Sequence, residues 1–326
     1  MATLPTIDDV RAAARRIAGQ AVNTPLLSSS QMDARVGAPV LLKCENLQRT
    51  GSFKFRGAYN AIAALGDAER RQGIVAVSSG NHAQAVAEAA RLFGVPATIV
   101  MPADAPRLKR ERTERSGGKV IAYDRAKDDR DAVAAAHIAR HGGVLVHPYN
   151  DANVIAGQGT IGLEIAEECA ARGITPAMAL VPAGGGGLSG GVGLALRHAY
   201  PRLAFRVVEP AGFDDYGRSL TAGHALANAR TSGSVCDALL ARAPGAIGFA
   251  LNCASEAVGV AVTDEEALAA VAFAFRELKL VVEPGGAVGL AALLAGRVTA
   301  SGSGAIVVVL SGGNIDEATM ARALSV

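Results

Sequence analysis

Apolar and polar positions change period from stretch to stretch along this chain, and the changes mark its elements. Residues 8–19 carry apolar positions at helical spacing, with Asp8 or Asp9 placed to cap the helix, and Thr24-Pro25 then breaks to an extended segment. Residues 40–44 read as a strand and 58–65 as a helix. From Gly73 a strict alternation begins: strands at 74–77, 97–101, 120–123 and 144–146, with helices at 83–93, 107–116 and 130–140 between them. Short apolar strands separated by helices predict a parallel sheet with right-handed crossovers. A second series follows, with helices at 158–171, 188–198, 264–278, 287–294 and 317–324, and strands at 179–181, 204–208 and 305–310. Residues 210–260 show no assignable period. The change of rhythm predicts an α/β fold of two domains with twisted, mostly parallel sheets flanked by helices. Residues 1–72 and 151–326 would make up the large domain, and 73–150 the small one.

Composition agrees with this picture. Half of the 326 residues are apolar, only 19% are charged, and tryptophan is absent, which suits buried strands covered by Ala-rich helices. A net charge of +2 without any basic run points away from nucleic acid and other polyanions. Cys44, Cys169, Cys236 and Cys253 are widely spaced and read as buried thiols in a reducing compartment, with no disulfide or zinc framework. The N-terminal stretch lacks the apolar centre of a signal peptide, and no stretch has the length of a charge-free membrane span. A cytoplasmic protein is expected.

Three predicted strands end in the same kind of turn: Ser78-Ser79-Gly80-Asn81-His82, Gly184-Gly185-Gly186-Gly187, and Ser311-Gly312-Gly313-Asn314. In open α/β sheets ligands bind at the carboxyl ends of strands, so three such turns predict one site assembled from several sides. Four successive glycines before a helix let backbone N–H groups converge on a phosphate. The pattern is neither Gly-x-Gly-x-x-Gly nor a Walker loop, which disfavours dinucleotides and nucleoside triphosphates. The serine–asparagine turn suits a carboxylate, although plain helix capping would need the same residues. Ser311 offers a neutral hydroxyl at a strand end. A single lysine, Lys54, lies between Phe53 and Phe55, where desolvation would free its amine to condense with an aldehyde. A reactive lysine, a phosphate cradle and a carboxylate cradle together describe an amino acid joined to pyridoxal 5′-phosphate.

The run from Lys43 to Ala58, the Ser78–Gln84 stretch, the tetraglycine turn and Ser311-Gly312-Gly313-Asn314 occur in this order over nearly the whole chain. Together they resemble the fold-type II pyridoxal-phosphate enzymes, which share the tryptophan synthase β-subunit architecture, in the threonine/serine dehydratase and serine racemase branch. The resemblance implies that Lys54 carries the cofactor and, once freed, acts as base on one face of the substrate Cα. Ser79 matches the opposite-face acid/base of the racemases. Phe53 would flank the ring, Asn81 bond its 3′ oxygen, and Gly184, Gly185, Gly186 and Gly187 hold the phosphate. Ser311 would face the ring nitrogen, and Glu283 matches an acid near the ring. Ser78, Ser79, Asn81 and His82 would surround the substrate carboxylate, and Arg130 aligns with an arginine near its distal end. Glu209, the Phe213 carbonyl and Asp215 resemble a site for Mg, Mn or Ca.

The expected reaction is dehydration of L-threonine or L-serine to a 2-oxo acid and ammonia. Serine racemisation and a specialisation for 3-hydroxyaspartate or another 3-substituted serine are the alternatives. A non-enzymatic binding protein for a phosphorylated ligand is the competitor from another class, and it leaves the serine–asparagine turn unexplained. A homodimer is expected. The sequence ends at residue 326, so the C-terminal regulatory domain of biosynthetic threonine dehydratases, and feedback control through it, is expected to be absent.

Overall fold

The computed structural model of the chain describes residues 3–299 and 304–325; Met1, Ala2, residues 300–303 and Val326, which the predicted domains also include, lie outside it. The strands are β1 (Leu26–Ser28), β2 (Val40–Cys44), β3 (Ile74–Val77), β4 (Ala97–Pro102), β5 (Gly118–Tyr123), β6 (Val144–Leu145), β7 (Pro176–Pro182), β8 (Ala204–Pro210), β9 (Val258–Val262) and β10 (Ala305–Leu310). They form a six-stranded sheet ordered β1-β2-β10-β7-β8-β9 and a four-stranded sheet ordered β5-β4-β3-β6. All neighbours pair in parallel except β1 and β2, which pair antiparallel. β2 and β10 are buried along their whole length, as strands covered on both faces must be. Residues 73–150 contain the whole smaller sheet; treating them as a separate domain is our proposal.

The central order β2-β10-β7 decides where the chemistry falls. The parallel strands β10 and β7 put their carboxyl ends, hence Ser311 and the glycine turn, side by side. β2 lies on the other flank of β10 and leads into the lysine segment.

Several boundaries differ from those predicted, each for a physical reason. The first helix, Ile7–Ile17, is capped by Thr6, whose hydroxyl accepts the Asp9 N–H while the Asp9 carboxylate accepts the Thr6 N–H. The helix expected from residue 58 begins at Lys54, because Gly57 is packed helically against Gln158 and Gly157. The helix expected over 264–278 stops at Phe273 and passes into a π turn, Ala274–Leu278, ending at Lys279 in the left-handed region (φ 59°). Residues 210–260 hold helices Asp215–Ala222 and Ala246–Ala254 and the start of the edge strand β9, while 223–245 are irregular apart from a short helical turn, Asp237–Leu239. Cys253 is exposed, unlike the other three cysteines, because it faces outward from the helix Ala246–Ala254.

Candidate active site

The lysine segment is pinned to the end of β10. Ser52 forms an isolated bridge with Gly312, and the Phe53 N–H donates to the Ser311 carbonyl at 3.1 Å. Just upstream, Thr50 (φ 63°) and Gly51 (φ 74°) are left-handed, a conformation that costs a threonine about 1–2 kcal/mol. Asn314 holds that turn by donating to the Thr50 carbonyl at 2.8 Å.

Lys54 opens the helix Lys54–Ala64. Its amine donates to the Pro148 carbonyl at 2.7 Å and sits 5.0 Å from the centroid of the Phe53 ring. Burial lowers its pKa to about 8 against the opposing charge of Glu283.

Asn81 joins the two sheets at this point. It donates to Glu283 Oε1 at 2.6 Å and accepts from Asn314 at 2.8 Å, and its second amide hydrogen remains free for a ligand. Glu283 precedes the helix Pro284–Leu294, and its N–H donates to the Gly312 carbonyl at 3.0 Å. Burial pushes this carboxyl up to about 7, and the negative charge of Asp237 adds to the effect.

Two helix N-termini open onto the site without a side-chain cap: Asn81–Leu92 after Gly80, and Gly187–Ala199 after Gly186. Six other helices carry side-chain caps, from Thr6, Ser29, Asp129, Asp151, Thr263 and Asp316, whereas Lys54–Ala64, Arg107–Arg115, Asp215–Ala222, Ala246–Ala254 and Pro284–Leu294 share the uncapped state. The open pair leaves main-chain N–H groups without intrahelical partners, which suits two anions. Packing also demands the glycines. A Cβ on Gly185 would fall 2.2 Å from Tyr149 Cγ, one on Gly187 2.9 Å from Tyr149 Cα, and one on Gly184 3.2 Å from Leu239 Cα.

Ser311 is nearly buried and Ser78 and Ser79 half-buried; Ser78 accepts the Gly80 N–H at 3.2 Å. The hydroxyls of Ser79 and Ser311 make none of the hydrogen bonds found among the described residues, so both stay free for a ligand. His82 differs from its predicted part. Its Nε2–H is used on the Val146 carbonyl at 2.9 Å, and burial, with the charge of Lys54, holds the ring neutral with a pKa of about 3. The buried Nδ1 is a bare acceptor, so the ring offers a carboxylate no donor; the residue can contribute only its main-chain N–H.

Arg130 stands at the start of the helix Arg130–His141 with its side chain 58% exposed, 3.9 Å from Asp131. No residue of the lysine site bonds it.

Two of the predicted metal ligands, Glu209 and Asp215, come together at the start of the helix Asp215–Ala222. Glu209 accepts the N–H groups of Tyr216 (3.0 Å) and Gly217 (2.9 Å), and Asp215 accepts from Asn228 at 2.5 Å while its buried Oδ2 has no partner. Burial, with each neighbouring acid adding to it, raises Glu209 well above the carboxylate range, and burial raises Asp215 to about 6. Two buried acids and an orphaned oxygen fit a divalent cation with oxygen ligands. Among the described residues no cluster of three His, Cys, Asp or Glu forms, so two carboxylates, a carbonyl and waters would complete it.

Sequence reading missed the segment from His147 to Asn150. It supplies the Pro148 carbonyl to Lys54 and the Tyr149 ring to the glycine turn, and Asn150 accepts the Ile247 N–H at 3.1 Å. Its signal was position: it follows β6 at a strand carboxyl end, as the three recognised turns follow theirs.

A family model described as pyridoxal-phosphate dependent enzyme matches residues 17–312. The chain belongs to that family. Its cofactor is pyridoxal 5′-phosphate, and its architecture is that of the fold-type II members. L-threo-3-hydroxyaspartate ammonia-lyase from a Pseudomonas species is 40% identical over 96% of each chain. L-threonine ammonia-lyase from Thermotoga maritima is 41% identical over 95% of this chain and 76% of the relative. The solved structure of maize serine racemase superposes with a TM-score of 0.92 at 37% identity, covering 99% of this chain and 98% of that one. The cofactor fits what is present: a desolvated amine, an open glycine-lined helix start, and free hydroxyl and amide groups between them. No helix among the described residues is long and apolar enough to cross a membrane.

Proposed function

We propose that the protein is an ammonia-lyase of β-hydroxy amino acids, converting L-threonine and L-serine to the 2-oxo acid and ammonia. The observation that carries this is the placement of a half-buried Lys54 amine, with a pKa of about 8, among two uncapped helix starts and the free Ser311 hydroxyl. When bound, pyridoxal phosphate supplies an aldehyde that takes up an amino group and a ring that accepts charge left when an α-proton leaves.

The residues divide the remaining work. Gly184 to Gly187 would bind the phosphate, Phe53 would flank the ring, Asn81 would bond its 3′ oxygen, and Ser311 would meet its nitrogen. A serine there would be neutral and would donate no full charge to that nitrogen. Lys54 holds the aldehyde and, when freed, moves the α-proton; the Pro148 carbonyl is the acceptor that orients its amine. Ser78, Ser79, Asn81 and the His82 N–H hold the substrate carboxylate. Glu283 fixes the Asn81 amide by accepting from it.

Racemisation is a second reading, favoured by the unpaired Ser79 hydroxyl, which can deliver a proton on the other face of Cα. Arg130 would serve a distal carboxylate, as in 3-hydroxyaspartate, only by turning in from solvent. Glu209, the Phe213 carbonyl and Asp215 would take Mg, Mn or Ca. The protein acts as a cytoplasmic homodimer on this reading, checked by light scattering of the purified enzyme.

Borohydride reduction of the cofactor-loaded protein followed by peptide mapping tests the core of the proposal. A pyridoxyl group on Lys54, absent in Lys54→Ala, is the expected result. An adduct elsewhere, or none, overturns it. Product assays with threonine, serine and hydroxyaspartate then separate 2-oxo acid and ammonia from the D-enantiomer.

A further inference from the structure

We propose that Tyr216 is a positioning residue for the phosphate site: its hydroxyl, bonded by Asn252, forms the back wall of the glycine turn and keeps the Gly186 backbone facing the anion. The inference rests on the reading that Gly184 to Gly187 hold the cofactor phosphate. Tyr216 is fully buried in the helix Asp215–Ala222. A Cβ on Gly186 would fall 1.8 Å from its hydroxyl oxygen and 2.3 Å from its Cζ, so the phenol tip stands directly behind that residue.

Gly186 is left-handed (φ 84°) and has no side chain of its own to hold it. The surroundings hold it instead. Asn252, also fully buried, shares its two amide hydrogens among the Gly248 carbonyl at 2.8 Å, Ser189 Oγ at 3.0 Å and the Tyr216 hydroxyl at 3.3 Å. Ser189 donates to the Gly186 carbonyl at 3.4 Å, and a Cβ on Gly248 would fall 2.7 Å from that same oxygen.

An apolar ring alone would fill the space, so the buried hydroxyl calls for a reason. Its oxygen accepts from Asn252, which ties the ring tip to the helix Ala246–Ala254 while the same amide ties Ser189 and, through it, Gly186. A pre-organised turn presents its N–H groups to phosphate without rearranging. A turn free to relax backwards would not.

The test compares Tyr216→Phe and Asn252→Leu with the wild type, each stripped of cofactor and titrated with pyridoxal phosphate and with pyridoxal. Loss of one hydrogen bond predicts about tenfold weaker binding of pyridoxal phosphate to Tyr216→Phe. Pyridoxal affinity should stay unchanged, and the phosphorus NMR line of the bound cofactor should shift. Asn252→Leu should reproduce the pattern and serves alone should Tyr216→Phe not fold. Unchanged phosphate selectivity and an unmoved phosphorus line in folded variants overturn the assignment, as does equal weakening of both ligands. A wild type that binds pyridoxal as tightly as its phosphate would instead refute the glycine turn as the phosphate site.

Discussion

An amine that condenses with an aldehyde near neutral pH has to shed its proton there, and at Lys54 burial supplies the bias. Glu283 pulls the other way, so Glu283→Gln should lower the Lys54 pKa below about 8. In the cofactor-free protein, reductive methylation of Lys54 should reach half its maximum near pH 8, where ordinary lysines still react slowly. The expectation fails if Lys54 labels with the same midpoint as surface lysines. Stability follows with a definite sign. Between pH 8 and 10.5 the unfolded lysine holds a proton that the folded one has lost, so its contribution rises with pH. Glu283 does the reverse: folded, it titrates at about 7 instead of 4.5, so its contribution falls as pH rises from 4.5 to 7. Denaturant midpoints of Lys54→Met and Glu283→Gln against wild type across these windows would show the two opposite slopes.

At the scale of elements, the glycine turn obeys two demands at once, ligand approach and packing. Gly186→Ala combines a strained φ with a Cβ set against the Tyr216 hydroxyl, and should lose about 2–4 kcal/mol of stability. Gly223→Ala is equally left-handed (φ 74°) but has open space around it, so only about 1–2 kcal/mol should be lost. Equal losses in chemical denaturation would show that backbone strain alone sets the cost. The candidate cation site makes its own element-scale prediction. Magnesium at a hundred times its dissociation constant should stabilise the protein by about 2.7 kcal/mol, and Glu209→Gln should abolish the shift. Unchanged melting with Mg, Mn and Ca would remove the cation from the proposal.

Across the whole molecule, a buried charge network fastens the lysine helix to its surroundings. Arg56, two residues beyond Lys54, pairs with Glu45 at 2.8 Å and Glu164 at 2.6 Å, and Lys43 pairs with Glu164 at 2.5 Å. Arg56 and Glu45 are fully buried, so Arg56→Met leaves an uncompensated carboxylate and should cost about 3–5 kcal/mol. Lys109 and Asp237 also pair, linking the helix Arg107–Arg115 to the helical turn Asp237–Leu239, but at an exposed rim. Removing Lys109 should cost at most about 1 kcal/mol and matter less at high salt. Urea titrations rank the two; a rim pair costlier than Arg56 would contradict the role given to burial.

The alternating strands, the turns at their carboxyl ends and the lone lysine between phenylalanines were legible because short-range chemistry writes them: side-chain period, glycine freedom and helix-start preference act over a few residues. Helix starts at Lys54 and Ala152 were less so, since glycines inside them look like breakers until a neighbouring helix packs on them. What only the tertiary structure decided spans long separations. Asn81 meets Glu283 across 202 residues, and Asn314 meets Asn81 across 233. Lys54 finds the Pro148 carbonyl 94 residues away, and the His82 ring spends its only N–H on Val146. Such partnerships depend on which strands lie side by side, and that order is set by burial of the whole core rather than by any local pattern.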